Sequence, residues 1–254
     1  MIRRLVIGLC LTAALTWADD DSDRLMVVGL KEFTTAYQAW DAPGFAKAAD
    51  RFGQACAEAP EAGTQFYWKG VAEFHRLLQL FGSSAPTSRT EVAKAIQETI
   101  HTLTTAVQLN ERDAESHALL ANVYGISIAA NPLRAAWLGP RVLKHQKSAL
   151  RYGPANPRVQ YLTGTSQYHG PESLGGKKEA LRHLLKAEEL FADEAGQPAG
   201  PLEPRWGRSS CLAFIGKTYD ALGQRADAGK YFRKALEVNP QNPLAREELA
   251  KRKR

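Results

Sequence analysis

Apolar residues recur at helical spacing along most of the chain, and no run alternates with the period of two that marks a half-buried strand. The pattern is clearest between residues 209 and 242. Leu212, Ile215, Gly216 and Tyr219 share one face of a first helix. Gly223 stands where that helix must end, at a place suited to a residue free to take positive φ. Ala228, Phe232 and Ala235 form the inward face of a second helix, which Pro240 stops. The small residues Gly216, Ala228 and Ala235 allow the two helices to approach closely, while Tyr219 and Phe232 fill the space beside them.

The same spacing returns upstream. Ala48, Phe52, Ala55 and Pro60 reproduce Ala228, Phe232, Ala235 and Pro240. Tyr67, Trp68, Gly70 and Phe74 precede Thr99, Leu103 and Ala106. Leu120, Ala121 and Tyr124 precede Val142, Gln146 and Ala149, and Gly164 precedes Ala180, Leu184 and Ala187. This order of Leu, Gly, Tyr, Ala, Phe, Ala and Pro resembles the tetratricopeptide repeat (TPR), a helix-turn-helix unit of about 34 residues. One such unit cannot bury its apolar face alone, so others must stack beside it.

The resemblance implies an all-α fold: a right-handed α-α superhelix (solenoid) of about five helix pairs. They fall at 29–62, 63–112, 114–156, 157–195 and 209–242, and 243–254 supplies a cap helix and a basic tail. Extra length is expected in loops. One lies around 82–88, and one carries Asn131-Pro132 and Gly139-Pro140. A third runs from Tyr168 to Gly176, and a Gly/Pro-rich connection joins Gly196 to Arg208.

Residues 1–18 read as a secretory signal. Arg3 and Arg4 precede an apolar run from Leu5 to Leu15, and Thr16-Trp17-Ala18 offers a small–x–small cleavage site. An uncut anchor is the alternative, although the run is shorter than the roughly 20 residues of a span. Leu9 before Cys10 argues against lipid attachment. The acidic lead, 19–28, follows. The chain is therefore expected to be exported, periplasmic or secreted, and bacterial, with no stable membrane span after cleavage. Hydrophobic residues make up 44% of the chain and charged ones 24%, as in ordinary folded domains. The formal charge of +6 falls by two with Arg3 and Arg4, and much of the rest sits in the tail, so no nucleic-acid footprint is expected. Cys56 and Cys211 lie three repeats apart, beyond the roughly 7 Å that a disulfide allows, and are expected as buried thiols.

No catalytic constellation, metal site or cofactor motif is visible. The six histidines form no HExxH or other compact ligand spacing. Gly175-Gly176-Lys177 lacks both the upstream glycine and the strand of a phosphate loop. The chain is expected to be non-catalytic, and an enzyme built on His75 or His169 ranks last among the readings.

The resemblance instead implies a concave groove lined by the first helix of each pair. Projecting its lining places gives Tyr37, Trp40, Tyr67, Phe74, Asn122, Arg158, Tyr161, Thr165, Tyr168 and Lys217 as partner-binding candidates. Aromatic anchors with arginine are what a binding surface uses, though aromatics at helical spacing also fill cores. The family's carboxylate clamp is not supported, because Ala118 and Leu162 stand at two of its polar places. The first reading is an exported scaffold holding a protein or peptide in the groove. The alternative is a small-ligand module, for a glycan or lipid headgroup, using the groove aromatics and inserted loops.

Overall fold

The computed structural model describes residues 6–82 and 88–252, the side chains of residues 6–20 and of Leu174 excepted. The middle of the loop expected at 82–88, the first five residues of the leader and the last two of the basic tail lie outside the described residues.

The chain forms eleven α-helices among the described residues, and no strand. They are α1 Val6–Ala39, α2 Ala42–Glu58, α3 Gly63–Gly82, α4 Arg89–Leu109, α5 Ala114–Ala130 and α6 Ala135–Tyr152. After these come α7 Pro157–His169, α8 Gly176–Ala195, α9 Arg208–Ala221, α10 Arg225–Val238 and α11 Pro243–Lys251. Short polar side chains start many of them by accepting free backbone N–H groups. Asp113 accepts from Glu115 and Ser116, Asn156 from Arg158 and Val159, and Asn242 from Ala245. Pro157 and Pro243 follow their caps directly, where a missing N–H costs nothing. No helix among the described residues is long and apolar enough to cross a membrane.

Helices pack as five successive antiparallel pairs, α1/α2 to α9/α10, with α11 closing the last. Each first helix also packs against the next pair, so α3, α5, α7 and α9 lie side by side. Glycine sets the approach within the pairs. A Cβ on Gly216 would stand 2.8 Å from the Phe232 ring, and one on Gly164 2.6 Å from Leu184; Gly70 meets Leu103 in the same way. Gly216→Leu is therefore expected to lower stability by about 1–3 kcal/mol through overpacking. Urea unfolding measures this, and an unchanged midpoint would mean that α9 and α10 do not make this contact.

The first pair keeps this contact in a different register. A pair opening at Gly29 would set Ala36 at the place that Gly216 holds in the last pair, but it is Gly29 that faces Phe52, at 2.7 Å from a built Cβ. The Ser22 hydroxyl donates to the Ala55 carbonyl at 3.3 Å, as Ser209 donates to Ala235 at 2.9 Å. Gln65 donates to Ser22 as Asn242 donates to Ser209. Ser22 thus occupies the opening place of its pair, two helical turns ahead of the start expected at Gly29. The α1–α2 turn is correspondingly short, and it holds Trp40 at φ 55°.

Gly139-Pro140 also departs from expectation. It lies inside α6 rather than in a loop. Pro140 is the sixth residue of that helix, so its missing N–H costs one bond near an end that is already poor in them. Gly175 and Gly176, at φ 115° and 56°, turn the chain into α8. Cys56 and Cys211 are buried free thiols; burial raises Cys56 to about 11 and Cys211 well above its usual value.

Candidate functional site

The connection 196–207 does not hang outside the repeats. It turns back over α1 and α3. The Trp68 indole donates to the Leu202 carbonyl at 3.1 Å, and the Trp206 indole to the Tyr67 hydroxyl at 3.0 Å. Gly207 N–H donates to the Tyr37 hydroxyl at 3.0 Å, which also lies 3.1 Å from the Ser210 hydroxyl of α9. The first and last pairs thus meet, with Trp206 sealed between them.

Many groove candidates are consumed in this closure. Tyr67 donates to Glu115. Glu115 also accepts from Asn156 and from Arg158 Nε, each at 2.7 Å. Arg158 reaches on to Glu194, at 2.5 and 3.1 Å, and to the Trp206 carbonyl. Burial opposes the charge on Arg158, but Glu115 and Glu194 outweigh it and hold its pKa up. Burial raises the Tyr67 hydroxyl well above its usual range. Phe74 is buried, and Asn122 is saturated. The Asn122 amide donates to the Ala118 and Leu162 carbonyls and accepts from Thr165 at 3.0 Å. Beside this network lies His75, whose ring is within 6.0 Å of six aromatic rings: Phe33, Tyr37, Trp40, Phe45, Phe74 and Trp206. Its Nδ1 lies 2.8 Å from the Val71 carbonyl, and burial lowers its pKa to about 4.

Four candidates remain around one opening. A cleft of about 460 Å³ lies between the end of α1, the end of α3, α7, α9 and the start of α11. Trp40, Leu78, Tyr161 and Phe214 give it aromatic and aliphatic walls; Lys217 and Glu247 are its charged members. Tyr168 adjoins it, 6.1 Å from the Phe214 ring. Lys217 Nζ lies 5.1 Å from the Tyr168 ring centre and 5.4 Å from that of Phe214, and makes no ion pair among the described residues. Burial pulls its pKa down, partly opposed by Glu248 and Glu247. Glu247 is itself engaged by Lys251 at 2.8 Å. The cleft therefore offers an apolar body and one cation without a fixed anion.

Phe214, Leu78 and the α11 residues were not among the sequence candidates. Phe214 sits one place beyond the projected lining positions, and α11 read only as a cap. No group of three or more His, Cys, Asp or Glu that could hold a metal occurs among the described residues.

This arrangement of stacked pairs matches solved structures. The TPR protein TTC0263 from Thermus thermophilus superposes with a TM-score of 0.60 at 17% identity, over 88% of this chain and 97% of that one. The fold is tetratricopeptide-like. The HusA haemophore from Porphyromonas gingivalis is similar to a comparable degree, with a TM-score of 0.63 at 20% identity, over 78% of this chain and 93% of that one. No family model and no curated protein sequence matches the chain. At these identities the likeness concerns the fold. The chain is a TPR-like helical solenoid, and its particular feature is the connection 196–207, which packs its end against α1 and α3.

Proposed function

We propose that this chain is an exported, non-catalytic binding module that takes a small amphipathic ligand, an apolar or planar body bearing an acidic group, in the cleft beside Phe214. The observation that carries this is Lys217, held over two rings at the edge of an aromatic cleft with no carboxylate of its own. The cleft volume falls in the usual range for small-ligand sites, about 300–1,000 Å³. The burial of Tyr67, Phe74 and Arg158 leaves less room for an extended peptide along the concave face. A haemophore of similar fold gives a precedent for a small ligand on such a scaffold.

Titration with haemin and, separately, with dodecanoate tests this through tryptophan fluorescence, since Trp40 lines the cleft. Saturable binding of at least one probe is expected, with Lys217→Gln weakening it about tenfold, the scale of one charge-assisted hydrogen bond. Lack of saturation with both probes would overturn the proposal.

A second reading is a protein partner whose C-terminal residues enter the same cleft, which the repeat scaffold supports. A peptide ending in an aromatic residue and a free carboxylate would then bind and displace the probes, while its C-terminal amide would not.

A further inference from the structure

A second surface is separate from the cleft. From Ser116 to Pro171 the sequence contains no acidic residue. The helix at the centre of that stretch, α6, packs its inner side on α5. Its outer side carries Arg141, Lys144, Lys147 and Arg151, all exposed and none in an ion pair among the described residues. Elsewhere basic side chains commonly have carboxylate partners, as at Lys69–Glu73, Arg182–Glu179 and Lys234–Glu188. Two large apolar side chains stand in water at this end: Leu133, in the short turn Pro132–Arg134 that leads into the helix, at 80% exposure, and Trp137, in the first turn of the helix, at 56%. Trp137, Arg141, Lys144 and Arg151 recur at spacings of three, four or seven, so they form one stripe along the helix.

We propose that this face of α6 docks in the plane of an anionic lipid surface, with Trp137 and Leu133 entering the headgroup layer and the four cations over acidic headgroups. The composition decides among polyanions. Phosphates of a nucleic acid would satisfy the cations but would leave Leu133 in water. A bilayer interface accepts both kinds of group, and tryptophan is enriched at that depth. No span is required, in keeping with the lack of a membrane-crossing helix among the described residues. The protein would thus be held at a membrane by electrostatic attraction plus one apolar wedge.

Vesicle flotation of the full chain tests this. Vesicles of phosphatidylcholine with phosphatidylglycerol are compared with pure phosphatidylcholine. Binding is expected to be at least tenfold stronger on the anionic vesicles and to weaken at high salt. Lys144→Glu with Lys147→Glu should reduce it at least tenfold, and Leu133→Ser with Trp137→Ser should also reduce it. Thermal unfolding should be unchanged in both, because all four side chains are exposed. The apolar leader is common to every sample. Equal binding by parent and variants, or equal binding to both kinds of vesicle, would assign attachment to the leader and overturn the proposal. An absence of vesicle binding would overturn it as well.

Discussion

Arg158→Leu is expected to remove about 3–5 kcal/mol of stability, the usual cost of deleting one partner of a buried ion pair. Arg158 and Glu115 are both buried, with Nε and carboxylate 2.7 Å apart. Leucine would fill part of the volume but leave the Glu115 carboxylate with Asn156 and Tyr67 as its remaining donors. Glu194 would lose its bidentate partner as well. The double variant Arg158→Leu with Glu115→Gln should therefore recover part of the loss, since no uncompensated charge then stays buried at that site. Arg158→Lys should not restore the parent, because an ammonium cannot span both carboxylates as a planar fork does. Urea unfolding at neutral pH is the measurement. A residue that merely lined an open groove would leave the midpoint nearly unchanged, so a loss below about 1 kcal/mol would mean that the closed centre does not form.

Acid should weaken the fold from about pH 6.5 downward. His75 is held neutral by burial, its pKa lowered to about 4 from an ordinary 6.5. Between these values the unfolded chain takes up a proton that the folded chain refuses. Stability is thus fully present above about pH 6.5 and declines as the pH falls toward 4. A shift of this size corresponds to about 3 kcal/mol, at about 1.4 kcal/mol per pKa step. His145, lowered to about 4 by burial and by the facing His117, adds to the same decline. Melting temperatures measured from pH 8 to pH 4.5 should fall through this window. His75→Phe should keep the ring packing among six aromatics and flatten the decline. Parallel curves for parent and variant would show that His75 takes up its proton as readily in the folded chain as in the unfolded one.

Gly70, Gly164 and Gly216, with Leu103, Leu184 and Phe232 opposite them, were legible from spacing alone, and the structure places each against its partner. Such contacts are local. They depend on which face of a helix is small or apolar, and sequence period reports that directly. The start of the first pair was not legible. Seven residues are almost two whole turns, so a helix displaced by seven presents nearly the same face, and periodicity cannot separate Gly29 from Ala36. Only the contact with Phe52 and the bond from Ser22 to Ala55 decide between them.

The site divides along the same line. Trp40, Tyr161, Tyr168 and Lys217 were recognisable as inner-face residues, and the structure gathers them at one cleft and its edge. Phe214 joins them from a neighbouring place, and Leu244 and Glu247 from the cap helix. What covers the inner face was decided by tertiary structure. The connection 196–207 is rich in glycine and proline and shows only Leu202 and Trp206 as large apolar residues. The burial of its end, Trp206 and Gly207, follows from the curvature that brings α1 to α9, which leaves a space that Trp206 fills. Sequence by itself determined the helices, their pairing and the small residues between them, because those depend on neighbours in the chain. The closure of the ring, the buried Arg158 network and the remaining cleft depend on residues up to 202 positions apart, for which no local pattern exists.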